Sequence, residues 1–177
     1  MVLAAANPPP PSLDFDLLGE APKPPVPGED PALKKRRQML NLHQGLGLGL
    51  LGMQLAVTVS GQLNYNDKFT PGENTDRYKL THQVLSYADL AAFAVVGGIA
   101  IFAPRDKNAP PRGFGRSTIH KIAMGVAAAG MVTQAVLGIQ TASREGFLDQ
   151  QQYARAHLVV GYATLAAMLV GVGALVL

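Results

Sequence analysis

Four stretches of this chain are almost free of charged residues, and polar segments separate them. Residues 38–65, 122–143 and 156–177 contain no Asp, Glu, Lys or Arg, and residues 80–104 contain only Asp89. About 20 apolar residues, at 1.5 Å each, cross the hydrocarbon core of a bilayer, so the pattern predicts four transmembrane helices. A soluble bundle would show a charged stripe along each helix, and no such stripe is present. The predicted helices span about 38–64, 79–104, 117–142 and 153–177.

The second half of the chain repeats the first. An offset of 77 residues carries His43 to His120 and Gly61 to Gly138. An offset of 75 carries His82 to His157 and aligns residues 87–92 with 162–167, with one mismatch in six. Such a duplication predicts an all-α fold, a transmembrane four-helix up-down bundle over residues 38–177 that is made of two repeated helix hairpins.

The N-terminal segment is different in character. Residues 1–37 are rich in proline and end in the basic run at 34–37. We expect an extended, Pro-rich tail with no core of its own, followed by a basic stop before the membrane. Its largest apolar side chains, Phe15, Leu17 and Leu18, are the candidate anchors for a partner protein, which predicts that the chain is a subunit of a larger complex.

Charge and cysteine content narrow the possible functions. The formal net charge of +3 is too small to indicate a nucleic-acid partner. Lys and Arg cluster before the first span and between the second and third spans, which predicts that both termini are cytoplasmic. The chain has no cysteine. Disulfides, thiolate-bound iron–sulfur clusters and covalent c-type haem are therefore excluded.

The four histidines supply the candidate chemistry. Each lies near the start of a different apolar segment, at positions 43, 82, 120 and 157. Because neighbouring helices alternate in direction, His43 should face His120 near one end of the bundle, and His82 should face His157 near the other. A pair of imidazoles across a bundle interior is what a six-coordinate b-type haem requires. The pattern therefore predicts two haem b groups, with these four histidines as iron ligands.

Helical geometry adds further candidates. Gly61 lies 18 residues, or five turns, after His43, so Gly61 and Gly138 should face the interior at the level of His82 and His157 and leave room for a cofactor. The other interpretation of these glycines is close helix packing. Asp89 lies two turns beyond His82 and could make an interior hydrogen bond or tune the outer haem.

Basic residues near the helix ends are candidate partners of haem propionates, although interfacial snorkelling explains them equally well. On one side of the membrane these residues are Lys79 and Arg155, and on the other they are Arg37, Arg116 and Lys121.

The motifs resemble the core of the cytochrome b561 family. Ser117-x-x-His120 with Gly125, Gln134 and Gly138 is similar to the third core helix of that family. Lys79-x-x-His82 is similar to the second core helix of the family, and His157-x-x-x-Gly161 is similar to the fourth. The resemblance covers residues 38–177 and implies two b-type haems, one near each membrane face, and electron transfer across the bilayer. Eukaryotic members have six helices and an Arg-rich motif linked to ascorbate, and neither feature is present in this sequence.

The sequence thus predicts a membrane electron carrier that works with redox proteins on one or both faces, with quinone binding and oxidation of quinol or another reductant as open possibilities. A haem-independent, proton-coupled transporter is the main alternative, because Asp89 and the histidines could form a relay. Transporters normally interrupt helices at the substrate site, however, and the four spans contain no internal proline. A structural membrane anchor is a further alternative. A dinuclear metal site is disfavoured, because Asp89 is the only acid within the spans.

Overall fold

The computed structural model describes residues 30–105 and 113–176, and within these residues the fold is all-α. The helices are α1 (Pro31–Phe69), α2 (Lys79–Phe102), α3 (Arg116–Ser143) and α4 (Gln150–Val176). All four are long and apolar enough to cross a membrane, so the predicted fold of an integral membrane protein with four spans is confirmed. The proposed tail anchors Phe15, Leu17 and Leu18 lie outside the described residues.

Helix α1 begins earlier and ends later than the sequence pattern predicts. The side chain of Asp30 accepts a hydrogen bond from the backbone N–H of Ala32 at 2.8 Å, and Pro31 occupies the first helical position. Both features favour a helix start. The run at 34–37 is therefore helical, and the boundary placed at 37/38 corresponds to the start of the apolar stretch and not to the start of the helix.

The helices pack in the order α2, α1, α4, α3 around the bundle. Helix α1 contacts both α2 and α4, and α3 contacts α4, whereas α2 and α3 make no comparable contact within the described residues. Helices α1 and α3 are therefore diagonal to each other, as are α2 and α4. This arrangement lets side chains from equivalent helices of the two repeats meet in the interior.

The apolar core is small and takes one residue from each helix. Leu50, Val96, Ala127 and Met168 are buried together, with 0–6% of each residue exposed. Many larger apolar side chains face outward instead, such as Phe102 at the end of α2. This inversion is expected of a bundle whose outer surface contacts lipid.

Close packing between α3 and α4 depends on one glycine. A Cβ atom added at Gly130 would overlap Oγ1 of Thr164 and lie 3.2 Å from its Cβ. Thr164 is 2% exposed, and its hydroxyl donates to the carbonyl oxygen of Val160 at 2.8 Å. The threonine side chain therefore has little freedom to move aside.

We predict that Gly130→Ala lowers the free energy of unfolding in detergent by about 1–3 kcal/mol, because it overpacks this contact. Gly125→Ala is the matched control on α3, since no atom lies within 4 Å of its added Cβ. The control should be neutral or stabilising by up to about 1 kcal/mol. Thermal melts of the two variants make the comparison, and equal melting temperatures would show that α3 and α4 are not packed as described.

Candidate functional site

The four histidines meet in two pairs across the diagonals of the bundle. His43 of α1 and His120 of α3 have ring centres 6.1 Å apart, with ring planes at 84°. His82 of α2 and His157 of α4 have ring centres 6.0 Å apart, with ring planes at 77°. We call these the tail-side pair and the loop-side pair respectively. The pairings are those that the repeat predicts.

The tail-side imidazoles are fixed by backbone carbonyl groups of the neighbouring helix. Nδ1 of His43 lies 3.0 Å from the carbonyl oxygen of Val96, and Nδ1 of His120 lies 2.8 Å from that of Gly171. A carbonyl oxygen only accepts hydrogen bonds, so Nδ1 carries the proton in both rings. The lone pair of each Nε2 is consequently available to a metal.

The loop-side pair is less symmetric. Nδ1 of His82 lies 3.3 Å from Oγ of Ser60, whose hydroxyl donates to the carbonyl oxygen of Val57 at 3.0 Å. Because that hydroxyl hydrogen is already used, Ser60 accepts from His82, which again leaves Nε2 with its lone pair. Nδ1 of His157 is buried and has no hydrogen-bond partner. Leu137 stands at the repeat position of Ser60, so the second hairpin lacks the equivalent hydroxyl.

The spacing within each pair suits ligation of one metal ion by two imidazoles. A bond from a metal to an imidazole nitrogen is about 2 Å long and the ring centre lies about 1 Å beyond, so two opposed ligands place their ring centres about 6 Å apart. Within the described residues, no group of three or more His, Cys, Asp or Glu side chains could hold a metal. The two imidazoles of each pair would therefore suit a cofactor whose metal takes only two protein ligands, such as a b-type haem.

The two pairs lie at different depths in the bundle. His82 and Val96, which marks the level of His43, are 14 residues apart on α2. At 1.5 Å per residue this is about 21 Å along the helix. The spacing from His157 to Gly171 on α4 is the same, as the repeat requires.

The glycines at positions 61 and 138 lie against the loop-side imidazoles. A Cβ atom at Gly61 would lie 2.9 Å from Cε1 of His82, and one at Gly138 would lie 3.3 Å from Cε1 of His157. Their predicted level in the bundle therefore matches the structure. The imidazole rings occupy the space that a side chain at each glycine would fill. Each glycine therefore makes room for the histidine of its own hairpin in the bundle interior.

A cavity of about 590 Å³ surrounds the loop-side pair. Its lining includes His82, His157, both glycines and Asp89. The volume lies within the range of pockets that hold cofactors and other small molecules, about 300–1,000 Å³. The cavity also extends to the mouth formed by the α1–α2 and α3–α4 connections, where charged side chains line it.

The cations at this mouth differ in part from those that the sequence predicts. Lys79 lines the cavity as expected, but Arg155 is exposed and does not. Lys68 lines it instead. This residue could have been found from its spacing, since it lies seven residues, or about two turns, after Gly61 on the same face of α1. On the tail side, Lys121 is exposed.

One acidic residue joins the two repeats across the cavity mouth. Glu145, in the connection between α3 and α4, accepts hydrogen bonds from Lys68 at 2.8 Å and from Lys79 at 2.8–2.9 Å. These bonds, that from Lys68 first, lower the pKa of the Glu145 carboxyl from its ordinary 4.5 to about 2. Glu145 remains 43% exposed, so solvent screens the interaction.

Comparisons with known proteins add no assignment. No protein-family model matches this chain, and no match is found among curated proteins or solved structures. The resemblance to the cytochrome b561 family therefore rests on the motifs of this sequence alone.

We predict that the Glu145 cluster stabilises the bundle near neutral pH and loses this effect in acid. The pKa of Glu145 is lower in the folded state, so its contribution is present above about pH 4.5 and disappears as the pH falls towards about 2. Wild type should melt at a higher temperature than Glu145→Gln at about pH 6, and the difference should shrink below about pH 4.5 and close only near pH 2. Glu73→Gln, in an exposed position of the other connection, is the control. A gap independent of pH would contradict the prediction.

Proposed function

We propose that this chain is a dihaem b-type cytochrome that carries electrons across a membrane. The observation that carries the proposal is the occurrence of two imidazole pairs across the diagonals of one bundle, each with ring centres about 6 Å apart. Three of the four rings have Nδ1 held by a protein oxygen atom, which leaves Nε2 free to bind a metal.

The residues that would hold the cofactors follow from this geometry. His43 and His120 would hold one haem b, and His82 and His157 would hold the other. Lys68 and Lys79 are the cations that line the loop-side cavity and suit carboxylate groups of a cofactor. When bound, a haem of this type supplies reversible one-electron chemistry at its iron.

The protein itself contributes ligand orientation, exclusion of water and a fixed spacing. The backbone carbonyl groups of Val96 and Gly171 fix the tail-side rings, and the buried core between the two pairs keeps solvent out. The levels of the two pairs are about 21 Å apart, so redox sites there would lie towards opposite faces of a bilayer core about 30 Å thick.

The topology supports a carrier within a larger redox system. We propose that both termini are cytoplasmic, from the distribution of Lys and Arg, and that redox proteins at one or both faces supply and accept the electrons. A quinone is a possible further partner. Oxidation of quinol or another reductant would then belong to the complex as a whole.

The proposal predicts two low-spin b-haems in the purified protein, because two imidazoles would hold each haem iron. His43→Ala or His120→Ala should remove one haem, and His82→Ala or His157→Ala should remove the other. A pyridine haemochrome assay with visible spectra should show a loss of about half of the haem in each variant.

Thr133→Ala provides the control for this series, because Thr133 is exposed and its hydroxyl bonds only to its own helix, at the carbonyl oxygen of Ala129. This variant should retain both haems. A wild-type protein without haem would overturn the proposed function, and loss of the same haem from the His43 and His82 variants would overturn the pairing.

The separation of the two pairs predicts electron transfer across vesicles. Protein reconstituted with haem should pass electrons from an impermeant external reductant to ferricyanide trapped inside. Removal of either pair should abolish this flux, because each pair serves one face of the bilayer. Flux that persists without haem, or that requires a proton gradient and moves a solute, would favour a proton-coupled transporter instead.

A further inference from the structure

Asp89 lies midway between the two histidine levels. It is seven residues from His82 and seven from Val96, whose carbonyl accepts from His43, so each level is about 10 Å away along α2. The residue is 1% exposed. Asp89 is the only Asp, Glu, Lys or Arg within residues 80–104. The electron-carrying role proposed above makes no direct use of it.

Two hydrogen-bond acceptors without donors line the same cavity at this depth. Oδ1 of Asp89 is buried and accepts no hydrogen bond from the protein, and the same is true of Oε1 of Gln54 on α1. Gln54 is 3% exposed, and its amide nitrogen is directed to Oγ1 of Thr58 at 3.5 Å. The site therefore has acceptor atoms in excess and requires a donor.

The second repeat lacks this arrangement. The repeat counterparts of Gln54 and Asp89 are Met131 and Thr164. Met131 has no amide group, and the Thr164 hydroxyl is satisfied by the carbonyl oxygen of Val160 at 2.8 Å. The unsatisfied acceptors are therefore a property of the first hairpin. A buried acceptor without a donor lowers the stability of the fold, so its presence calls for an explanation.

A proton supplies the missing donor. An ionised Asp89 depends on positive charge nearby, and the oxidised loop-side redox site carries one more positive charge than the reduced one. A protonated Asp89 instead adds one O–H to a site with two free acceptors. A negative charge added about 10 Å away makes protonation more favourable. At an effective dielectric constant of about 20, the Coulomb interaction corresponds to roughly a tenfold change in proton affinity.

We propose that Asp89 and Gln54 form a proton-binding site that takes up a proton when the loop-side redox site is reduced. The cavity joins this site to the loop-side mouth, which gives the proton its route from solvent. The proton goes to a carboxylate oxygen of Asp89, and the electron comes from the donor of the proposed electron-transfer function. This inference rests on that function.

Other titratable groups share the cavity and must be separated from Asp89 in any test. Nearer the loop side these are the proposed ligands His82 and His157, and Tyr65 and Tyr87 also line the cavity. No titratable side chain of α3 lines it. The charged groups of the mouth are Lys68, Asp76, Lys79 and Glu145.

The experiment is a spectroscopic redox titration of the holoprotein over a range of pH. The potential of the component that is lost in His82→Ala should fall with rising pH by up to about 59 mV in total, the equivalent of a tenfold change in proton affinity for one electron. In Asp89→Asn this dependence should disappear, while both haems remain bound. Thr164→Val is the matched control at the repeat position and should keep the dependence. Glu145→Gln should also keep it, because Glu145 lies at the mouth.

Redox-difference infrared spectra provide a second readout that needs no stable variant. Reduction of wild type should produce a carboxylic-acid carbonyl band that shifts in D₂O, and where Asp89→Asn folds, it should lack this band. If both haems are present but wild type shows neither the band nor the pH dependence, the proton-site proposal is overturned and electron transfer stands. A wild-type protein without haem overturns both proposals.

Discussion

Hydrogen bonds from imidazole Nδ1 to the backbone of a neighbouring helix orient the tail-side histidines, and these bonds tie the four helices together. The tail-side histidines come from α1 and α3, but the carbonyl groups that fix their rings belong to α2 and α4. Each hairpin therefore orients one imidazole, and the diagonal packing brings the two imidazoles within 6.1 Å of each other, centre to centre. Because the oriented rings depend on a neighbouring backbone at 2.8–3.0 Å, the helices of each hairpin must pack closely. Small residues at the contacts, such as Gly61 and Gly138, allow this approach.

The duplication has preserved the four histidines, while their surroundings have diverged. Nδ1 of His82 lies beside the hydroxyl of Ser60, whereas Leu137 stands at the repeat position of this serine and Nδ1 of His157 has no hydrogen-bond partner. Hydrogen bonding at Nδ1 raises the basicity of a metal-bound imidazole and so alters the potential of the metal. Haems held at the two pairs, as proposed, would therefore differ in potential, because the tail-side imidazoles have two carbonyl partners and the loop-side imidazoles have one hydroxyl partner. A difference between two redox sites at opposite depths is what gives electron flow a preferred direction.

The sequence predicts those features that depend on periodicity and repetition. Four spans, the two histidine pairs and the level of the glycines all follow from residue spacing along regular helices, and the structure agrees on each of these positions. The early start of α1 was missed because hydropathy detects the apolar stretch, whereas the helix itself starts at a capping residue, Asp30. The choice of Lys68 over Arg155 at the cavity mouth depends on how the two connections meet, which spacing within one helix does not determine. The ligand roles of the histidines and the cofactor remain predictions.

The interior between the two histidine levels is divided into two layers of different polarity. Nearer the loop side, Gln54, Asp89 and Thr164 form a buried polar layer that adjoins the cavity. Nearer the tail side, the core cluster of Leu50, Ala127 and Met168, with Val96, forms a packed apolar layer. A proton that reaches Asp89 from the loop side meets hydrogen-bonding groups along the cavity, but the apolar layer offers none beyond it. Electrons cross such a layer by tunnelling, whereas protons need a chain of polar groups or water. The layering therefore favours electron transfer with local proton uptake over transport of protons through the bundle.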